Sequence, residues 1–124
     1  MDDTNSFTCY SDGGTVGTNP SHALYGSFRI GREEPVRLRW GGGSNNDAEY
    51  LALIELLEAL ECRGITGATC WTDSQLVVRQ ISREYAVRKP NLIPLWTRAS
   101  DLIARGQHSL KHCYRSVIVA QLGH

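Results

Sequence analysis

The stretch ITGATCWTDSQLVVRQI, residues 65–81, decides what kind of sheet this chain builds. Residues 65–73 form a β-branched run that reads as a strand ending in Asp73. Ser74 then stands where it can cap a short helix over 74–81 carrying Leu76, Val77 and Ile81. A strand that feeds a helix returns to the sheet parallel to itself, so this segment excludes an all-antiparallel fold. Upstream, residues 6–12 read as a first strand ended by the Gly13-Gly14 pair, with a loop over 13–21. Residues 23–31 and 36–40 alternate apolar and polar around the turn signal GREEP, which predicts a hairpin with the arginines of VRLRW turned to water.

Downstream of the hairpin, GGGSNN (41–46) reads as a flexible connection. Asn46 or Asp47 can then cap a helix running to Cys62 and closed by Arg63-Gly64. Pro90 and Pro94 bracket a break before a third helix, Leu92 to Arg105. Residues 108–114 predict a last strand and 116–122 a terminal segment, helical or extended. The expected fold class is therefore α/β: a five-stranded mixed sheet, with an antiparallel three-strand meander followed by parallel strands, flanked by helices. A length of 124 residues fits one domain over 1–124.

Composition narrows the function classes. At 41% hydrophobic and 21% charged residues, the chain is neither disordered nor collagen-like. No apolar run reaches the roughly 20 residues needed to span a bilayer. The polar start MDDTNS lacks the form of a secretory signal, so a cytoplasmic protein without membrane association is expected. Four cysteines without a CxxC pair predict reduced, mostly buried thiols rather than a zinc site. Thirteen basic and thirteen acidic residues cancel, yet Arg79 to Arg115 holds eight basic residues against Glu84 and Asp101. That half offers either a positive face or a solvated helix surface.

Three acids stand where sheet topology gathers catalytic groups: Asp12 at the end of the first strand, Glu49 in the first turn of the long helix, and Asp73 at the end of the fourth strand. Each also fits an ordinary turn or capping role. If they converge, their mutual repulsion requires raised pKa values or bound cations. Oxygen ligands without His or Cys favour magnesium or manganese, and a pair of such ions suits phosphodiester cleavage.

YSDGG (10–14), NNDAEY (45–50) and WTDSQLV (71–77) together resemble the type 1 ribonuclease H family, whose motifs DGG, NNxxE and TDS occur in this order. The resemblance spans nearly the whole chain, including KPNLIPLW (89–96), and is specific because three motifs agree at once. It implies a ribonuclease H-like fold and endonucleolytic cleavage of the RNA strand of RNA/DNA hybrids, with 5′-phosphate and 3′-hydroxyl products. Family members use an Asp, Glu, Asp, Asp quartet and two divalent ions. By that resemblance Asp12 bridges both ions, and Glu49 and Asp73 complete one of them, with Mg2+ or Mn2+ as the metal. Asn45, Asn46 and Gln75 inherit contacts to the hybrid's minor groove, where amides both donate to and accept from 2′-hydroxyls. Gly13, Gly14 and Ser74 belong to the same substrate-facing motifs, and Asn19 is similar to a family residue near the DNA strand. A monomer without an obligate protein partner suffices for this chemistry.

The sequence departs from the family where the fourth carboxylate belongs. No acid follows Asp101, and the ending YRSVIVAQLGH places Gln121 or His124 as the group that substitutes for it. Either removes one negative charge, so the ion that positions water should bind less tightly. Cleavage then persists with a higher metal requirement, or the chain binds hybrid without cutting it. A superfamily nuclease acting on DNA is a further alternative. Arg115 resembles an Arg of members lacking a Gly-His loop and is expected to contact a phosphate. His108 and His112 are expected to be structural. Arg88, Lys89 and Arg98 are the nearest substitutes for a basic protrusion that grips the DNA strand.

Overall fold

The computed structural model describes residues 7–16 and 23–123. Five strands, β1 (Thr8–Thr15), β2 (Leu24–Ile30), β3 (Val36–Trp40), β4 (Thr69–Thr72) and β5 (Ser109–His112), lie in the order β3-β2-β1-β4-β5. The first three pair antiparallel, whereas β1 with β4 and β4 with β5 pair parallel. The mixed sheet expected from residues 65–81 is thus the one observed. Four helices complete the order: α1 (Asn45–Cys62), α2 (Gln75–Ile81), α3 (Ile93–Gly106) and α4 (Arg115–Leu122), the last settling 116–122 as helical.

Helix α1 is the centre of the core. Tyr50, Leu53, Leu56, Leu57 and Leu60 are at most 1% exposed, because α1 packs on β1 and β2 with one side and on α2 and α3 with another. Each such side chain contributes about 1.5–3 kcal/mol by leaving water. The helix begins earlier than the expected cap. Ser44, not Asn46 or Asp47, is the N-cap: its hydroxyl accepts from the Asp47 N–H at 3.2 Å, and the Asp47 carboxylate accepts from the Ser44 N–H at 2.8 Å. This reciprocal capping box satisfies two otherwise orphaned donors. At the other end the chain leaves through Arg63 and a left-handed Gly64, as expected.

β1 also differs from expectation, since it runs through Gly13 and Gly14 instead of ending there. The two glycines pair with Gly26 and Tyr25 of β2. Gly13 is glycine for lack of room: a Cβ there would lie 2.3 Å from the carbonyl oxygen of Ala48, in the backbone of α1. A turn-forming residue pair thus serves close helix-to-strand packing. Alternation along β1 then sends Cys9 and Ser11 toward the α1 core, and Tyr10 and Asp12 toward the face where Ile118 and Leu122 of α4 pack.

The second half is held by polar contacts. The buried Tyr50 hydroxyl donates to Gln80 Oε1 at 2.7 Å, and the Trp96 indole donates to the Gln80 carbonyl at 2.9 Å, joining α1, α2 and α3. His108 accepts at Nδ1 from the Ala68 N–H at 3.0 Å, and burial lowers its pKa, consistent with a neutral structural imidazole. The cysteines are free thiols, with Cys9, Cys70 and Cys113 buried and Cys62 exposed. Part of the basic second half is engaged in ion pairs: Arg79 meets Glu84, Arg98 meets Glu58 at 2.9 Å, and Arg105 meets Glu61 and Asp101. Arg98 therefore ties α3 to α1 through an exposed ion pair. Among the described residues, no helix is long and apolar enough to cross a membrane.

Gly13→Ala should destabilise the protein by about 1–3 kcal/mol, because the backbone of α1 must move. Gly14→Ala meets only the end of the Tyr25 side chain, whose hydroxyl would lie 2.9 Å away, and should cost less. Urea unfolding of both variants checks this ranking, and equal stabilities would contradict the close-approach explanation.

Candidate active site

Strand register brings two of the three acids side by side. Tyr10 of β1 lies opposite Trp71 of β4 in a parallel pair, so Asp12 and Asp73, each two residues further on, leave the paired region on the same face. Asp73 sits just beyond the carboxyl end of β4, before α2, whose N-cap Ser74 accepts from the Val77 N–H at 3.3 Å. The third acid arrives through the contact at Gly13, because Glu49 follows the Ala48 whose carbonyl lies over that glycine. One ligand oxygen from each of Asp12, Glu49 and Asp73 lies within 4.8 Å of the others.

Charge repulsion and burial act together on this trio. Burial pushes the Asp12 carboxyl up to about 6; a hydrogen bond from Arg115 opposes the shift and the Asp73 charge adds to it. Burial pushes Glu49 further, to about 9, with the Asp12 and Asp73 charges contributing. Glu49 Oε1 is buried with no hydrogen-bond partner, an arrangement that is costly unless a cation or proton satisfies it. Arg115, the first residue of α4, donates from Nη1 to Asp12 Oδ2 at 3.0 Å and to Asp73 Oδ2 at 3.2 Å. Desolvation works against its charge, but these bonds outweigh it and raise its pKa. An all-oxygen donor set with an orphaned carboxylate oxygen fits a hard divalent cation of the magnesium or manganese kind.

No family model matches the chain. The chain is 35% identical over 100 residues to the bifunctional protein Rv2228c of Mycobacterium tuberculosis, a match covering 77% of this chain and 27% of that protein. It thus spans about a quarter of the curated relatives it matches. Among solved structures it superposes on LC11-RNase H1, isolated from compost by a metagenomic approach, with a TM-score of 0.82 and 26% identity over 95% of this chain and 91% of that one. RNase H1 from the archaeon Halobacterium salinarum gives 0.79 and 26%, over 95% and 92%. The chain has the fold of these RNase H1 structures.

Within this fold, the remaining expected site residues fall into distinct groups. Asn45 accepts at Oδ1 from the Thr15 N–H at 2.9 Å, stitching the start of α1 to the end of β1. Asn46 lies half-buried in the first turn of α1, and Gln75 is exposed as the first residue of α2. Gly13 and Gly14 are buried inside β1, where they pair with Gly26 and Tyr25 of β2. Gln121 is not brought to the trio: its Oε1 and its backbone carbonyl both accept from Arg29 Nη1, at 3.0 and 3.2 Å. Asn19 and His124 lie outside the described residues. Sequence reasoning missed the bridge from Arg115 to Asp12 and Asp73, for which a lone basic residue at the start of a helix is the only signal. No described residue of α4 carries a carboxylate.

In chelator, the folded protein should keep the Glu49 proton up to about pH 9, whereas the unfolded chain releases it near the ordinary value of 4.5. The stability this proton contributes is complete below 4.5 and is lost as pH rises through about 9. Glu49→Gln cannot lose that proton. Its advantage over wild type in urea unfolding should be small near pH 5 and exceed about 1 kcal/mol near pH 8. The same difference at both pH values would contradict the buried-acid explanation.

Proposed function

We propose that this chain hydrolyses the RNA strand of RNA/DNA hybrids endonucleolytically, by a two-metal-ion mechanism that leaves 5′-phosphate and 3′-hydroxyl ends. The observation that carries the proposal is the convergence of Asp12, Glu49 and Asp73 around an unsatisfied buried carboxylate oxygen. LC11-RNase H1, similar in fold, has been crystallised with an RNA/DNA hybrid, which supports the same class of substrate here.

Asp12, Glu49 and Asp73 would hold Mg2+ or Mn2+, two ions with substrate bound. Such ions supply a more acidic water as nucleophile and stabilise charge on the departing oxygen. The protein's own groups do the rest. Asn46 and Gln75, at the first turns of α1 and α2, flank the acids with amides suited to 2′-hydroxyls, while Asn45 fixes the turn that presents them. Ser74 orders the start of α2 beside Asp73. Arg115, more than half exposed, is placed to engage a phosphate. One chain carries all of these residues, so the proposal requires neither a second copy nor a protein partner, and it is compatible with a cytoplasmic monomer. A second reading, hybrid binding without cleavage, is favoured by the absence of a carboxylate on α4.

A labelled RNA/DNA hybrid, with RNA and DNA duplexes as controls, separates these readings in magnesium and in manganese. Wild type should cut only the hybrid's RNA, more strongly in manganese, and Asp12→Asn should lower the rate at least about a hundredfold. Hybrid binding without cleavage in either metal would overturn the enzyme reading. Cutting of the DNA duplex would overturn the substrate assignment.

A further inference from the structure

Arg115 stands where the free site needs a cation. Its guanidinium bridges Asp12 and Asp73, two of the three groups that would hold metal, through one nitrogen at 3.0 and 3.2 Å. The Asp12 side chain is 1% exposed, whereas that of Arg115 is 52% exposed. The arginine thus reaches in from solvent and can withdraw without disturbing the core. Its backbone is fixed independently, because Ile118, one turn along α4, is wholly buried beside Tyr10 and Trp71.

Charge count sharpens the point. Once metal has displaced the Glu49 proton, three carboxylates and one guanidinium leave two negative charges, the amount one divalent ion neutralises. A second ion requires the guanidinium to leave and further negative charge to arrive, and no described residue of α4 supplies a carboxylate. A phosphodiester does both: it brings the charge, and its oxygens match the planar fork of an arginine.

We propose that Arg115 is a built-in counter-cation that competes with divalent metal for Asp12 and Asp73, restricting the free site to one ion until a phosphodiester draws the guanidinium away. This rests on the metal-dependent reading of the site. It makes Arg115 a residue that sets metal occupancy, beyond its contact with phosphate.

Calorimetric titration of the whole chain with Mn2+, without nucleic acid, tests the proposal through binding rather than activity. Wild type should bind one ion. Arg115→Gln should bind at least about tenfold tighter, because a positive charge beside the ion is gone. Arg115→Lys, which keeps the charge, should stay near wild type, with circular dichroism checking that each variant is folded. Equal or weaker binding by Arg115→Gln, or two ions in wild type, would overturn the counter-cation role and leave the metal site standing. No binding by wild type and Arg115→Gln alike would overturn both.

Discussion

Three carboxylates with ligand oxygens inside 4.8 Å repel one another, and much of this fold serves to hold them there. Asp12 and Asp73 are aligned by the parallel register of β1 and β4, which no side-chain motion can undo. Glu49 is delivered by α1, whose backbone approaches β1 so closely that only a residue without Cβ fits beneath Ala48. The leucines buried along the same helix supply the free energy that keeps it there. Stability is thereby spent on a local arrangement that would relax if the core allowed it. Sites that gather perturbed acids in this way are the ones suited to chemistry.

The repulsion is relieved in two visible ways. Glu49 holds a proton through neutral pH, and Arg115 lends its charge to Asp12 and Asp73. Both are properties a divalent ion would replace, since it displaces the proton and competes with the guanidinium. The fold shared with RNase H1 structures gives this arrangement its context, and the α4 of this chain gives it a difference. Where the resemblance calls for a fourth acid, the described residues offer Arg115 at the helix start and Gln121 bound to Arg29. The site is consequently less negative than a four-carboxylate one.

Much of this was legible in residue order. The strand-to-helix step at residues 65–81 correctly predicted parallel pairing, and the apolar run of α1 predicted the central helix. Asp12, Glu49 and Asp73 were identifiable because motif and topology agreed. What remained hidden depends on packing. Gly13 and Gly14 look like a turn until the backbone of α1 is seen above them. Ser44 was obscured as a cap by three flanking polar residues with similar capping preference. The basic second half left a positive face and a solvated helix surface open, and the pairing of Arg98 and Arg105 with Glu58 and Glu61 on α1 lies across a helix interface that the sequence does not display. Gln121 lines up with the missing acid in order along the chain, yet lies against Arg29 in space.

The central claim is that Asp12, Glu49 and Asp73 form a site completed by a divalent cation. Thermal unfolding with increasing Mn2+, for wild type and Asp12→Asn, tests it most directly. Binding to the folded state alone should raise wild-type stability by about 2.7 kcal/mol at a hundred times the dissociation constant, with little change in the variant. An unfolding temperature indifferent to Mn2+, or raised equally in both proteins, would contradict it.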